Sequence, residues 1–528
     1  MKIKQIYKLG IFAIVALAAT GCNSWFDVRP QSETVQEEFW KDENDVKSVV
    51  GACYRQMNEP AFMERLIVWG EVRSDNVLKG MSPSTDLSYI LNLALNASNS
   101  FTSWNDFYKA INYCNSVIAY APDVRNYDPN FTEGQLKAYI AEAKGIRALC
   151  YFTLVRAFRD VPLITMPTVG DGQSFNVAQS SPDDVIKFLI EDLQGVEANA
   201  VVGYDEPAYN KGRITQKAIR ALIADMYLWQ NDYQNCIKYC DKILDNATTL
   251  GLGLEPSAVY NKNVFITGNS KESIFELQFQ SGNINNYVVY EMYEKTGTNV
   301  VSGARSGYNT YQLSAYDFKN KTTLFGSTDL RMKNAYFPLS NGAFFPIMKY
   351  ISARTESATG SVTENDYTIT VGTPHWIFYR LADIYLMKAE ALTELDGSAN
   401  LTAAFNLVKA TYDRANPDLA DGSLSFADYN SQALMRELVF DERQRELMFE
   451  GKRYFDLLRR IRREPSPAAV VNTYLMRKYS ALDQATARSR LTDINALYMP
   501  INANELKLNT ALVQNPFYVV SSDIGKNN

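Results

Sequence analysis

The sequence contains very little of the chemistry on which most enzymes rely. Its 528 residues include one histidine, His375. Histidine is a common general base and metal ligand near neutral pH, so this scarcity argues against most hydrolase and metalloenzyme mechanisms. The sequence also has no glycine-rich phosphate loop, no calcium-binding loop and no G-x-S-x-G turn. We therefore expect a binding protein that works without a catalytic residue, a cofactor or a metal.

Cysteine is also scarce, and its distribution argues against a disulfide framework. Six cysteines occur, of which five lie in apolar, helix-like segments. Cys236 and Cys240 are four residues apart, but no histidine lies near them to complete a zinc site. We predict that these five side chains are small buried hydrophobic residues.

Excess positive charge and long apolar runs are missing as well. The 53 Lys and Arg residues are outnumbered by 59 Asp and Glu residues, giving a net charge of −6, so nucleic acid is not expected as a partner. After residue 22, no apolar stretch approaches the roughly 18 to 20 residues that a membrane-spanning helix needs. We expect this part of the chain to be water-soluble.

The N-terminus is typical of a bacterial lipoprotein signal. Three lysines flank the start of an apolar run from Leu9 to Ala19, and the sequence Ala-Thr-Gly-Cys ends at Cys22. This lipobox arrangement predicts that residues 1–21 are a signal peptide, that Cys22 carries the lipid anchor and that residues 22–35 form a tether. Several acyl chains on one residue give stable attachment, because each buried methylene contributes about 0.8 kcal/mol.

Apolar spacing predicts a mainly α-helical domain over residues 36–528. Residues 214–244 read as two amphipathic helices joined by a turn at Asn231-Asp232, which is the shape of a tetratricopeptide repeat. Similar pairs are indicated at 104–159 and 380–416. Because such pairs bury their apolar faces against their neighbours, we predict a superhelix of stacked helical repeats.

A change in composition interrupts the helical pattern between residues 251 and 375. Gly, Asn, Ser and Thr become frequent there, and β-branched and aromatic residues form short runs such as Ser273–Phe279. This predicts a loop-rich insertion containing short strands. Long loops on a rigid scaffold often carry binding sites, so we expect the ligand on this side of the domain.

Five segments together resemble the SusD/RagB family of glycan-binding lipoproteins over essentially the full length. They are Cys22–Pro30 followed by Phe39-Trp40, Ala141–Thr165, Tyr379–Ala391, Asp441–Leu457 and the closing Pro500–Pro516. The resemblance implies a superhelix at the cell surface, held to the outer membrane by its lipid. It also implies a TonB-dependent transporter of the SusC type as partner and an oligosaccharide as ligand in a shallow site. The chain departs from the family pattern at Asn502, Thr510 and Arg159, which affects loop details only.

Two regions supply the groups that a sugar site needs. Sugar rings present apolar C–H faces and a rim of hydroxyls, which aromatic platforms and amide or guanidinium groups can bind. The first region is the loop between Asn76 and Ser103, which the resemblance implicates, with the polar run Arg-Ser-Asp-Asn at 73–76 before it. The second is the tyrosine-rich stretch from Asn283 to Tyr316. The ligand-binding candidates are Arg73, Tyr89, Asn92, Asn96, Tyr287, Tyr290, Tyr308 and Tyr311.

The acid-rich segment from Glu437 to Arg453 invites an enzyme interpretation, because glycosidases use two carboxylates. Its acids are, however, three or four residues from arginines, which favours ion pairs within one helix. The predicted pairs are Asp441 with Arg445, Glu442 with Arg445 and Glu450 with Arg453. We predict a structural network here, and a packed or hydrogen-bonded role for His375.

Two alternatives to a glycan-binding protein remain open at this stage. The same scaffold could bind a peptide or protein, which a neighbouring peptidase gene would favour. Less favoured is a helical glycosidase, whose mark would be two carboxylates that converge in one cleft without arginine partners.

Overall fold

The computed structural model describes residues 39–168, 170, 173, 175–293, 311–315, 324–326, 329–335, 347–354, 367–369, 372–418 and 423–519. The predicted signal peptide, Cys22 and the whole tether lie outside the described residues, as does Tyr308. Within it, no helix is long and apolar enough to cross a membrane.

Helices form most of the described structure. They are α1 Glu43–Met57, α2 Pro60–Ile67, α3 Thr85–Leu91, α4 Asn105–Val124, α5 Glu133–Phe158, α6 Pro182–Gln194, α7 Pro207–Gly212, α8 Gln216–Trp229, α9 Tyr233–Leu244, α10 Tyr287–Tyr293, α11 Leu330–Ala335, α12 Leu381–Leu395, α13 Ser398–Ala415, α14 Gln432–Leu447, α15 Arg453–Ile461, α16 Ala468–Thr473, α17 Gln484–Leu491 and α18 Ala503–Leu508. A π-helical turn, Val68–Val72, extends α2.

The strands are short and pair two by two in antiparallel fashion. They are β1 Val77–Pro83, β2 Val161–Pro162, β3 Gln179–Ser180, β4 Ser273–Leu277, β5 Tyr311–Ala315, β6 Ser352–Arg354, β7 Tyr367–Ile369 and β8 Trp376–Arg380. The pairs are β1 with β5, β2 with β3, β4 with β8 and β6 with β7. Four of the eight strands, β4 to β7, lie between residues 251 and 375, which confirms the short strands predicted there.

The predicted helical pairs are confirmed at α4 and α5, at α8 and α9, and at α12 and α13, whose members pack against each other. The four apolar residues that define the face of α8 are all buried: Ala218, Leu222, Met226 and Trp229. Asn231 forms the turn with a φ of 62°, a left-handed conformation that asparagine tolerates better than most residues. Asp232 then caps α9 by accepting a hydrogen bond from the backbone of Asn235.

The minor predictions for the core have mixed outcomes. The five described cysteines are buried and unpaired, as expected. His375 is hydrogen-bonded, with its Nδ1 atom 2.8 Å from the Glu276 carboxylate. Of the predicted ion pairs, Glu442 with Arg445 is confirmed at 2.8 Å.

The other two ion-pair predictions are wrong, because Glu450 and Arg453 bind tertiary partners and Arg445 binds Glu442 instead of Asp441. Glu450 binds Arg380 and Lys349, each at 2.7 Å. Arg453 instead binds Asp75 at 2.8 Å. Arg445, predicted to pair with Asp441, donates to Glu442 and to the carbonyl of Leu324. The network is structural, but it joins distant segments.

Candidate ligand-binding site

A buried polar cluster fixes the start of the first predicted binding region. The Asn76 amide donates to the Glu71 carboxylate at 2.7 Å, and Gln444 donates to the Asn76 oxygen at 2.8 Å. Asp75 accepts two hydrogen bonds from the Arg453 guanidinium, at 2.8 and 3.0 Å. Burial raises the pKa of Glu71 to about 7, even though three hydrogen bonds favour its ionised form. These bonds hold the chain where it enters β1.

The pairing of β1 with β5 brings the two predicted binding regions together. Val77 lies opposite Ala315, Lys79 opposite Leu313 and Pro83 opposite Tyr311. α10, which carries two of the candidate tyrosines, packs against both β5 and α2. We use the term β1–β5 face for the surface formed by these two strands with α3 and α10.

The candidate tyrosines differ in exposure. Tyr89 on α3 and Tyr287 on α10 are each 41 % exposed, so their rings can receive a ligand. Tyr290, three residues further along α10, is only 3 % exposed and belongs to the hydrophobic core, so its ring does not face solvent as a ligand-binding ring would. Tyr311 lies on β5 itself. The face thus offers two exposed aromatic rings, one on a helix that packs against β1 and one on a helix that packs against β5.

The candidate asparagines shape the loop that follows α3. Asn92 ends that helix, where its backbone N–H donates to the carbonyl of Ser88 at 2.9 Å. The side-chain oxygen of Asn96 accepts a hydrogen bond from the backbone of Ser98 at 2.9 Å. Both residues are exposed. A short side chain that accepts a hydrogen bond from nearby backbone, as that of Asn96 does, stabilises a turn.

Arg73 lines a cleft beside the C-terminal segment and does not lie on the β1–β5 face. Its guanidinium lies 4.4 Å from the centre of the Tyr454 ring and donates to the carbonyl of Ala496 at 3.2 Å. It lines a cleft formed with α17 and the C-terminal segment that includes Tyr479 and Tyr518. The structure therefore does not gather all candidates into one site: Arg73 faces this cleft, whereas Tyr287 belongs to the β1–β5 face.

Comparison with known proteins agrees with this architecture. A family model described as the SusD family matches residues 338–518, and a second, described as starch-binding and associating with the outer membrane, matches residues 24–228. The chain belongs to the SusD family. These descriptions support carbohydrate binding and outer-membrane association for the family to which the chain belongs.

Individual members of the SusD family are similar over most of their length. SusD-like protein P38 of Formosa agariphila is 23% identical over 486 residues, which covers 87% of this chain and 92% of that protein. A SusD superfamily protein from Bacteroides vulgatus superposes with a TM-score of 0.70 at 21% identity, covering 91% of this chain and 100% of that one. A laminarin-binding SusD-like protein gives a TM-score of 0.68 at 22% identity, covering 90% and 99%. These structures share the fold.

Sequence reasoning missed several residues around Arg73 in this SusD-family chain. Tyr454, Tyr479, Arg490 and Tyr518 reach the cleft from four separate stretches of the last eighty residues. Nothing in their local spacing signals that they meet. Only the three-dimensional packing of the C-terminal segment against the loop after α3 brings them together.

Carboxylates beside the β1–β5 face bear on the enzyme alternative. Burial and the charge of nearby Glu64 on α2 raise the pKa of Glu291 on α10 to about 7. Elsewhere, the acids of α14 are largely committed to ion pairs; Glu446, for example, binds Arg380, Arg331 and Arg414. In the described part of the chain, no group of three or more potential ligands could hold a metal ion.

Proposed function

We propose that the protein is a non-catalytic, lipid-anchored surface protein that binds an oligosaccharide on its β1–β5 face. In this proposal it passes the sugar to a TonB-dependent transporter of the SusC type in the outer membrane. The observation that carries the proposal is the β1–β5 pairing, which unites two sequence regions whose exposed tyrosines suit sugar rings. The description of one matching family as starch-binding supports the ligand class.

The physical roles divide among three parts of the molecule. Tyr89 and Tyr287 would stack on apolar sugar faces, while the helical scaffold keeps α3 and α10 in position. Shallow contacts of this kind give weak and reversible binding, which suits a protein that must release its ligand to a partner. Acylation of Cys22 would keep the face close to the membrane in which the transporter lies.

A binding screen with residues 23–528 tests the ligand class. We expect one class of oligosaccharide to bind in a panel that contains starch oligosaccharides, laminarin oligosaccharides and other glucans, as measured by calorimetry. A peptide library serves as the comparison. Binding of peptides without any glycan would favour the peptide-binding alternative and sink the present proposal.

Hydrolysis is the second candidate function, and Glu291 is the observation that favours it. A carboxyl group whose pKa is near 7 is suited to act as a general acid. We expect no release of reducing ends from the bound glycan over hours. If reducing ends appear and Glu291→Gln abolishes them while binding persists, the protein is a glycosidase.

The anchor and the transporter partner are tested in cells. Cys22→Ala is expected to move the protein from the membrane fraction to the soluble fraction, because the only predicted anchor is lost. Deletion of the gene is expected to slow uptake of the glycan identified in the screen, and Cys22→Ala should fail to restore it. Normal uptake in the deletion strain would contradict the delivery role.

A further inference from the structure

A roomy cleft lies where the C-terminal ends of α5, α8 and α15 meet the start of α6. It contains about 470 Å³ of space that water can reach. This is within the range of roughly 300 to 1,000 Å³ that is usual for small-molecule sites. None of its lining residues belongs to β1, β5, α3 or α10, so the cleft is separate from the β1–β5 face. We call it the Arg462 cleft.

Arg462 presents an unused pair of hydrogen-bond donors in this cleft. Its Nη1 atom donates to the backbone carbonyl of Trp229 at 2.8 Å, and its guanidinium lies 4.6 Å from the centre of the Trp229 ring. Among the residues that the structure describes, the Nε and Nη2 atoms have no acceptor, and neither atom is sealed from solvent. Arg453 uses the same Nε–Nη2 edge to bind the carboxylate of Asp75. The free edge of Arg462 therefore suits a carboxylate.

The hydroxyl of Tyr498 is a further unused donor. Tyr498 is only 4 % exposed and lines the cleft. Its backbone carbonyl accepts a hydrogen bond from Tyr518 at 3.3 Å, but its hydroxyl has no partner within the described ranges. Burial raises the pKa of Tyr498, although the charges of Arg462 and Arg159 oppose the shift. The hydroxyl is therefore protonated at neutral pH and can donate to a ligand close to two guanidinium groups.

Arg159 reaches the same end of the cleft from a strained turn. Its φ of 73° and ψ of −81°, with the Asp160 N–H donating to the carbonyl of Phe158 at 3.1 Å, form the rare γ-turn with positive φ. Its Nε donates to Asp160 at 2.6 Å and its Nη1 to Asn495 at 2.9 Å. These bonds fix the guanidinium 5.8 Å from the centre of the Tyr498 ring. Backbone strain of this kind is concentrated at functional sites.

Two carboxylates complete the charged lining of the Arg462 cleft. Asp183 lies in the first turn of α6, and Glu464 follows α15. Neither forms an ion pair within the part of the chain that the structure describes. The charge of Glu464 acts on Arg460, which is outside the lining, whereas Asp183 is exposed. The cleft therefore offers an unpaired guanidinium edge and an unpaired carboxylate.

These features select among ligand chemistries. The lining also contains the apolar side chains of Ile461 and Ile494. A simple anion would leave these side chains and the Asp183 carboxylate without a partner. A neutral sugar would find little ring surface on which to stack, because Trp229 is 1 % exposed and the Arg462 guanidinium lies over it. A molecule with a carboxylate, an apolar body and an ammonium group matches all three parts of the lining.

We propose that the Arg462 cleft is a second binding site, which takes an amino acid with an apolar body. The carboxylate binds the Nε–Nη2 edge of Arg462 and accepts a hydrogen bond from the Tyr498 hydroxyl. The ammonium group lies toward Asp183. The site goes beyond the proposed glycan binding on the β1–β5 face, and neither site depends on the other.

The test measures binding to the full protein, purified in detergent, by calorimetry with four probes. Leucine and ε-aminocaproate are isomers that carry a carboxylate and an ammonium group at different spacings. Caproate has the carboxylate alone, and hexylamine has the ammonium group alone. We expect the tighter-binding isomer to bind at least about tenfold more tightly than caproate or hexylamine, as the loss of one charge-assisted hydrogen bond implies. Equal binding of caproate or hexylamine would overturn the proposal, as would no binding of either isomer.

Substitutions locate the binding to the cleft. Arg462→Gln is expected to weaken binding of the tighter-binding isomer about tenfold or more. Tyr498→Phe removes only a hydroxyl that has no partner in the described structure, so it should weaken binding about three- to tenfold while the protein stays folded. Arg488→Gln is the control, because Arg488 is exposed and bonds to Asn472 outside the cleft. Equal loss of affinity in Arg488→Gln would mean that the ligand binds elsewhere.

Asp183→Asn decides the matter if Arg462→Gln impairs folding, because Asp183 is exposed. This substitution should weaken binding of the tighter-binding isomer about tenfold and leave the affinity for caproate unchanged, since caproate has no ammonium group. Unchanged affinity for the isomer in the folded Asp183→Asn protein would refute the assignment.

Discussion

The acid-rich core and the β1–β5 face differ in how they use polar and aromatic side chains. In the core, Arg380 is fully buried and binds the carboxylates of Glu272, Glu446 and Glu450 at 2.7 to 3.1 Å. On the face, Tyr89 and Tyr287 are each 41 % exposed. The charged residues that first suggest catalysis are thus cross-links between distant segments, whereas the groups suited to a ligand lie on small elements at the periphery. This contrast predicts that mutations in the two regions will separate stability from binding.

The largest expected effect is that of Arg380→Met. The substitution leaves several buried carboxylates without their shared cation, which typically costs about 3 to 5 kcal/mol of unfolding free energy. Urea denaturation of the purified protein measures the loss. Arg55→Met, which removes one member of an exposed pair with Glu59, is the control. Equal destabilisation by the two substitutions would remove the distinction between core and periphery.

A smaller effect on stability is expected at acid pH from the protonation of Asp383, which lies in the same core. Burial acts to raise the pKa of Asp383, but the charges of Lys452 and Arg443 outweigh it and lower this pKa from 3.8 to about 2. The resulting stabilisation is complete above the unfolded-state pKa and is lost as the pH falls through 2. We expect the gap in unfolding free energy between wild type and Asp383→Asn to narrow by about 2 kcal/mol between pH 5 and pH 2. A constant gap would show that Asp383 contributes no such linkage.

A substitution on the β1–β5 face should weaken ligand binding with little change in stability. Tyr287→Ala is expected to weaken binding of the glycan found in the screen by about three- to tenfold, which corresponds to one aromatic contact of roughly 0.5 to 1.5 kcal/mol. The unfolding free energy of the Tyr287→Ala protein should differ from that of the wild type by less than about 0.5 kcal/mol, as is usual for surface substitutions. Tyr127→Ala, at an exposed tyrosine beyond α4, is the matched control. A ligand that binds both variants equally well does not use Tyr287.

The smallest expected effect is that of an exposed ion pair, which serves as the reference for the buried network. The exposed pair of Arg55 and Glu59 has its charged atoms 2.9 Å apart, a shorter distance than that between Arg380 and Glu272. A double-mutant cycle is nevertheless expected to give about 0.3 to 0.5 kcal/mol, because water and salt screen exposed charges. A coupling above 2 kcal/mol would mean that burial is not what separates the two networks.

The helical part of the fold is predictable from sequence because its signal is local. The apolar stripe of α8, the turn at Asn231 and the cap at Asp232 all lie within one short stretch, and the structure reproduces them. The family resemblance, too, is carried by contiguous segments and is confirmed. Spacing along one helix was a poor guide to ion pairs, however, since the true partners of Glu450 and Arg453 are Arg380 and Asp75.

The candidate site is predictable only in part. The sequence identified both regions that meet at the β1–β5 face, but it could not distinguish exposed Tyr287 from buried Tyr290, three residues further along the same helix. Sequence proximity also groups Arg73 with Tyr89, but residues that are close along the chain need not share a site. The contacts of Arg73 with Tyr454 and Ala496 depend on chain segments several hundred residues away, for which local patterns carry no information.

The pairing of β1 with β5 also has a consequence for how the molecule is made. Because Val77 pairs with Ala315, the β1–β5 ladder cannot form until more than half of the chain has been synthesised. The entropic cost of closing so long a loop is only slightly greater than that of closing a shorter one. Non-local contacts of this kind nevertheless form slowly. The N-terminal helices, whose contacts are more local, can assemble earlier. A nascent or truncated chain can therefore contain paired N-terminal helices and still lack the surface that is proposed to bind the ligand.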